Sequence, residues 1–560
     1  MNFEFTAQGL TGGEKVVQRV LEIVPGAASW GIMIGMAVLA RFYPLYAAVI
    51  IIAFYLYWLL KLLYMTFFLI LSYLRLASER DTDWLKRARS VDRLEETLEQ
   101  LEQAPRKDGL KERLSAYCYL KDLQRLRRQG ERPPLFSEIY HLVIVPVAGE
   151  AKDVVEPGIN SIARSVFPPE RIIVILAVEE RADEEVKKGA EEIREKYSSA
   201  FCDFLVEYHP DGIEGEARAK GANTTNAAKK AAEYLKGKHI PYRNVISSCF
   251  DSDTVIKPDY FAALTYYFMA DPERERSSFQ PVPVYNNNIW DAPGITRVLE
   301  AGSSFFQLIE ATNPETLVTF SSHSMSFKAL VETGYWPVDM ISDDSAIFWK
   351  AFLRFDGNYK AVPMYTTVSM DAVVADNWWH TLKNVYKQKR RWAWGVENFP
   401  IVVRGFLKDR KISLTRKFKY AFKLFEGHVS WTTWAFLLTI IGWLPAFFAG
   451  KDYSHTVFYY SAPRITGTIF NLASISLLTS IALSLCLLPP MKDKKNLFRR
   501  AGYALQWLLM PFTIIFFSAL PALDAQTRLM LGKYMTFWVT EKGRGSGRSA
   551  EGREPDTLTR

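Results

Sequence analysis

The sequence predicts an α/β domain on a mostly parallel sheet, set between apolar segments long enough to cross a bilayer. Two observations carry that expectation. Short β-branched apolar runs at 141–147 and 171–176 alternate with helical stretches at 183–197 and 225–235; unbroken runs of this kind are strands buried on both faces of a parallel sheet. Apolar stretches of about 20 residues or more, the length that spans a bilayer, lie on both sides of this region.

The 560 residues are 49% hydrophobic and 14% aromatic yet 23% charged, a mixture of unlike segments amounting to roughly three or four units. The net charge of +8 does not point to nucleic acid, because the Lys/Arg clusters abut apolar runs, where anionic membrane lipids are the natural partner. The cysteines Cys118, Cys202, Cys249 and Cys486 are far apart with no C-x-x-C pair, which argues against a zinc ribbon or a disulfide framework.

Taken in order, residues 1–26 form a mixed, polar N-terminal segment (Glu4, Glu14, Lys15, Arg19, Glu22) without the pattern of a removed signal peptide. Residues 27–76 hold two transmembrane helices, near 27–45 and 47–72, broken at Pro44. Arg80, Lys86, Arg87 and Arg89 follow at once and mark the cytosolic side. Residues 77–135 read as a charged helical linker, with Leu94, Leu98 and Leu101 at helical spacing. The α/β domain occupies 136–400, and 401–428 is a basic interfacial helix. Residues 429–525 hold about three transmembrane or re-entrant helices, with apolar runs at 429–449, 466–488 and 503–522. Their flanks support this order: 404–423 and 492–500 are rich in Lys and Arg, whereas 450–464 has only Lys451 and Arg464. An interfacial helix at 526–540 and a disordered tail at 541–560 close the chain.

In a doubly wound sheet, ligands sit at the carboxyl ends of the strands. There the run Val245-Ile246-Ser247-Ser248-Cys249-Phe250 ends in Asp251-Ser252-Asp253. Two carboxylates at a strand end suit Mg²⁺ or Mn²⁺, the rest of whose shell comes from water and phosphate; a turn capping the next helix is the plainer reading. Asp343-Asp344, before Ile347-Phe348-Trp349, are either helix-start carboxylates complementing the dipole or the seat of a general base. In Gln388-Lys389-Arg390-Arg391-Trp392 the first, fourth and fifth residues share a helical face. They offer an amide, a planar cation for phosphate oxygens and a flat surface for a sugar ring. His323 reads as a hydrogen-bonded structural residue, and Trp378-Trp379-His380 as a membrane-edge anchor.

The order of these motifs between membrane spans, Pro146, Asp251-Ser252-Asp253, Ser342-Asp343-Asp344, then Gln388 to Trp392, resembles glycosyltransferase family 2 of the processive type. That is the class of cellulose, hyaluronan and poly-N-acetylglucosamine synthases. The resemblance covers about 138–400 by motif, with Q-x-x-R-W its specific part. It implies a GT-A-like nucleotide-sugar-binding domain and roles for named residues. Asp251 would contact the nucleoside part of the donor, and Asp253, with Asp251, would ligate Mg²⁺ or Mn²⁺ on the diphosphate. Asp344 would be the catalytic base, with Asp343 beside it in place of the family's glutamate. Gln388 and Arg391 would line the donor, Trp392 would stack on the acceptor, Glu179 or Glu180 would recognise the base, and Arg218 or Lys220 would meet the diphosphate. The first motif departs from the family in carrying Ala148-Gly149 where tyrosine or asparagine is common.

The function so implied is a membrane inverting transferase, metal-dependent, moving a sugar from a nucleotide-sugar donor, a UDP-sugar, to a growing polysaccharide or other glycan. Its catalytic domain would be cytosolic, in a bacterial inner membrane. The alternatives are single-sugar transfer to a lipid-linked acceptor and a non-catalytic nucleotide-binding transport protein.

Overall fold

A computed structural model of the chain describes residues 3–104, 109–129, 132–489 and 502–536. The expected tail at 541–560 and the basic stretch 492–500 lie outside the described residues.

Eight strands form one sheet: β1 (Tyr140–Val147), β2 (Ile172–Glu179), β3 (Asp203–His209), β4 (Val245–Cys249), β5 (Val255–Ile256), β6 (Ser277–Tyr285), β7 (Ser324–Ser326) and β8 (Lys360–Met370), in spatial order β3-β2-β1-β4-β7-β6-β8-β5. β1, β2, β3 and β4 run parallel, as do β6 and β8; β7 is antiparallel to both neighbours, and the two-residue β5 is antiparallel to β8. The mostly parallel α/β sheet expected from the sequence is therefore present. β2 and β4 are buried along their whole length, because helices cover both faces. Val143, Val145 and Val147 of β1 face a core shared with Trp84, Leu98 and Leu123 of the linker helices. Leu142 and Ile144 face the opposite core, built on the helices Lys220–Gly237 and Asp343–Arg354.

Among the described residues four helices are long and apolar enough to cross a membrane: Gly12–Phe42, Pro44–Ser78, Val457–Leu487 and Gly502–Met530. A fifth candidate is the pair Leu414–Thr439 and Ile441–Phe447, bent by 44° at their junction. The chain is an integral membrane protein.

The first helix opens at Gly12, inside the segment expected to be merely polar. Its polar residues find partners far along the chain: Arg19, paired with Glu22 one turn on, donates to the Leu529 carbonyl, and Ser29 donates to Gln526. The last helix stops at Met530; of the interfacial helix expected over 526–540, residues 531–536 are not helical, and 537–540 lie outside the described residues. Gly532 there adopts φ 70°, and its N–H and that of Lys533 bond back to Leu529 and Arg528, a left-handed cap that ends helices.

The sheet domain is fastened to the second apolar helix by a buried polar hub. Glu79, 2% exposed, pairs with Arg75 and Arg87. The Arg87 guanidinium lies over the rings of Trp84, Tyr119 and Tyr266.

Candidate active site

One cleft opens at the carboxyl ends of β1, β2 and β4, about 1220 Å³ including its solvent-filled mouth, and its walls hold most of the residues singled out above. Pro146, Val147 and Ala148 form the floor at the end of β1, and Glu179 comes from the end of β2. Lys220 sits in the first turn of the Lys220–Gly237 helix, whose tight seat depends on Gly221: a Cβ there would lie 2.3 Å from the Pro337 carbonyl. Asp343 and Asp344 form the first turn of the Asp343–Arg354 helix. Gln388, Arg391 and Trp392 come from the Trp378–Ala393 helix.

Lys220 is the organising group. Its ammonium donates to Asp251 Oδ1 at 2.7 Å and to Asp344 Oδ1 at 2.8 Å, joining the two acidic motifs, which are 93 residues apart in sequence, by a single cation. Burial opposes its charge, but the two carboxylates outweigh that and hold it well above the usual lysine value. Asp251 is fixed from its other side by Ser321 Oγ, which donates to Oδ2 at 2.5 Å. Thr319 Oγ1 donates to the Asp344 carbonyl at 2.6 Å, so the segment preceding β7 braces both acidic motifs. Within it Ser322 adopts φ 60°, a conformation that costs a non-glycine residue about 1–3 kcal/mol and gathers at functional sites.

Asp343 lies behind Asp344, 3% exposed, and its Oδ2 has no hydrogen-bond partner among the described residues. Burial, with Asp344 adjacent, pushes its carboxyl up to about 8. His323 is fully buried, bonded through Nδ1 to the Phe320 carbonyl at 3.0 Å, with Nδ1 3.8 Å from Asp344 Oδ1. Burial lowers its pKa, so it stays neutral.

On the opposite wall Trp392 is boxed by Tyr285 and Phe320, with ring centroids 5.5 and 5.7 Å away, and Lys389 Nζ lies 3.7 Å from its ring centroid. Lys389 is held in turn by Glu300 at 3.1 Å. Arg390 bonds to Asp524 at 2.8 Å, which ties the Trp378–Ala393 helix to the last apolar helix.

The remaining residues divide. Glu179 lines the cleft and bonds to His209 Nδ1 at 3.3 Å, while Arg181 reaches it at 3.4 Å. Glu180 is exposed and away from the cleft. Of the two cations proposed for the diphosphate, Lys220 is in the cleft, whereas the Arg218 side chain is 68% exposed and paired with Asp211. Asp253 lies beneath the wall, 0% exposed, with Oδ2 accepting from the Asp371 N–H at 2.9 Å. Asp371, which follows β8, does line the cleft. Sequence reasoning missed it, although a carboxylate closing an apolar strand is the signal that marked Asp251. Among the described residues no three His, Cys, Asp or Glu side chains gather as a metal cage. The donor set nonetheless fits a hard divalent cation shared with phosphates, which takes only one or two protein carboxylates.

Glu397 also escaped the sequence reading. It is half-buried, beyond the cleft wall. Its Oε1 accepts from the Ser342 N–H at 3.0 Å and from Ser342 Oγ at 2.6 Å, and its Oε2 accepts from Trp394 Nε1 at 2.8 Å. Burial pushes its carboxyl up to about 7.

With this geometry in place, the chain can be set beside the known proteins it is similar to. Residues 248–517 match the family described as "Glycosyl transferase family group 2". The chain is similar to poly-beta-1,6-N-acetyl-D-glucosamine synthase of Staphylococcus aureus (strain COL), 27% identical over 195 residues, 34% of this chain and 43% of the relative. It thus spans less than half that relative's length. The synthase of Staphylococcus epidermidis is 24% identical over 325 residues, 56% of this chain and 68% of the relative. Among solved structures, a mannosyltransferase from Pyrobaculum calidifontis in complex with GDP-Man and Mn²⁺ aligns at TM-score 0.36 and 16% identity, covering 76% of this chain and 99% of that one.

Proposed function

We propose that this chain, which carries a glycosyl transferase family group 2 segment over residues 248–517, is a membrane glycosyltransferase that elongates a polysaccharide from a nucleotide-sugar donor, with inversion. The observation that supports this best is Lys220, whose two bonds put the donor carboxylate Asp251 and the base Asp344 in one cleft with Gln388, Arg391 and Trp392. A UDP-sugar is the donor this reading favours, an N-acetylglucosamine polymer the product, and the cytosolic face of a bacterial inner membrane the location.

The roles follow from chemistry. Glu179 and Arg181 receive the nucleobase, and Lys220 and Arg391 the diphosphate. Asp251 lines the cleft and would hold Mg²⁺ or Mn²⁺ there, with Asp253 buried behind it; the ion when bound supplies positive charge to offset that of the diphosphate. Asp344 takes the proton from the acceptor hydroxyl as its oxygen attacks the anomeric carbon. Lys220 keeps a positive charge beside that carboxylate, and Arg391 offsets the negative charge that develops on the leaving diphosphate. Trp392 offers its face to the acceptor ring. One displacement requires one base and no enzymic nucleophile, unlike a retaining two-carboxylate mechanism.

The test is to incubate membranes containing the protein with labelled sugar nucleotides, UDP- and GDP-linked, in the presence of Mn²⁺. A labelled polymer is expected. A product extractable entirely into organic solvent overturns elongation in favour of single-sugar lipid transfer, and absence of turnover across the panel overturns the transferase reading.

A further inference from the structure

We infer that Glu397 is a positioning residue that registers the base Asp344 against the acceptor wall of the cleft; the inference rests on the transferase reading above. Glu397 does not itself line the cleft, yet it joins the two structures that must agree for an acceptor hydroxyl to meet its base. On one side it holds Ser342, the residue immediately before the Asp343–Arg354 helix, by both the N–H and the hydroxyl. On the other it lies five residues beyond Trp392, in the helical turn that follows the Trp378–Ala393 helix, where Trp394 clamps its second oxygen.

Asn398 adds a second strand to the same tie, donating to Ser342 Oγ at 3.2 Å, to Ser345 Oγ at 3.0 Å and to the Gly395 carbonyl at 3.1 Å. Ser342 has no side-chain cap bond to its own helix, so its hydroxyl is committed to this cross-link and not to local helix capping. The acceptor face and the base therefore belong to one hydrogen-bonded unit whose only carboxylate link is Glu397 among the described residues.

This arrangement has a consequence that a purely structural role lacks. A sugar held on Trp392 cannot follow the base if the link is loosened, whereas a water molecule can reach Asp344 wherever it sits. Loosening the tie should cost transfer far more than hydrolysis of the donor, because small misplacements of a positioned reactant cost up to about a hundredfold.

The experiment uses the full-length protein in detergent with Mn²⁺ and UDP-N-acetylglucosamine, or whichever panel nucleotide the wild type turns over. Nucleoside diphosphate release is measured with and without a glycan acceptor. Glu397→Gln keeps the side chain's size but sets an amide N–H₂ against the Ser342 or Trp394 donors. The expected result is a fall in transfer of about tenfold or more, hydrolysis within about threefold and donor KM within about twofold of wild type. Ser342→Ala, which removes one of the two bonds, should shift the same ratio less, and should add little when combined with Glu397→Gln. Transfer that is unchanged, or that falls in proportion with hydrolysis, overturns the inference while leaving the transferase reading intact. Wild-type protein that releases no nucleoside diphosphate from any donor overturns both.

Discussion

Replacing Lys220 by methionine keeps the length of the side chain and deletes its charge. The two bonds of 2.7 and 2.8 Å place the oxygens of Asp251 and Asp344 no more than about 5.5 Å apart. With the cation gone, two unit charges at that separation repel by about 3 kcal/mol at an effective dielectric of about 20. The same figure falls in the range of about 3–5 kcal/mol lost when one partner of a buried ion pair is removed, and the Lys220 side chain is only 11% exposed. At about 2–4 °C per kcal/mol for a domain of this size, the melting temperature should drop by roughly 6–12 °C. Thermal unfolding followed by tryptophan fluorescence at neutral pH measures it. The electrostatic origin has its own signature: added Mn²⁺ should recover part of the loss by binding the uncompensated carboxylates, and Lys220→Arg, which keeps the charge, should lose less than Lys220→Met. A methionine variant that melts with the wild type and ignores Mn²⁺ would refute the assignment of Lys220 as the cation holding the two acidic motifs together.

Asp344→Asn should lower transfer by roughly a hundredfold to ten-thousandfold, the usual range for losing a general base, while donor-dependent thermal stabilisation persists; undiminished turnover removes Asp344 as the base. Burial, with Asp344 adjacent, holds the Asp343 carboxyl up at about 8 in the folded chain, against 3.8 for an ordinary aspartate. The folded state therefore keeps a proton that the unfolded chain releases, and stability is fully present below about pH 4 and lost as pH rises to and through about 8, by at most about 1.4 kcal/mol per unit. Asp343→Asn has no such proton to lose, so its melting temperature should be flatter than the wild type's across that window. Arg218→Ala removes an exposed side chain outside the cleft and should leave stability within about 0.5 kcal/mol and turnover unchanged. A large loss of turnover would show that Arg218, and not Lys220 alone, meets the diphosphate.

The parallel strands were legible because their signal is local: an unbroken β-branched run such as Ile172-Ile173-Val174-Ile175 states both its conformation and its double burial. The start of the Lys220–Gly237 helix was not, since Lys220-Gly221-Ala222-Asn223 has no apolar periodicity and its close packing depends on Pro337, more than a hundred residues away. The site shows the same division. Asp251, Asp344 and the Gln388–Trp392 group stand out as motifs, but which cation joins them could not be read, because Arg218 and Lys220 are two residues apart and only the turn into the helix sends one into the cleft and the other to solvent. Glu397 was invisible for a related reason: its significance lies in Ser342, 55 residues earlier. The start of the N-terminal helix looked polar because residues such as Arg19 take partners from the far end of the chain.

The bond from Arg390 to Asp524 bears on how this protein can be divided. Tyr386 and Arg528 converge on the same carboxylate, so the helix presenting Trp392 is anchored from within the last apolar helix as well as from the sheet. A water-soluble fragment cut at the end of the sheet domain would keep Lys220, Asp251 and Asp344 but release one side of the wall that carries Trp392 and expose Trp394, which shares an apolar cluster with Ala522, Ala525 and Leu529. Such a fragment should retain the wall of the cleft that carries Lys220, Asp251 and Asp344 and lose the order of the wall that carries Trp392. Modularity, in this chain, stops short of the membrane.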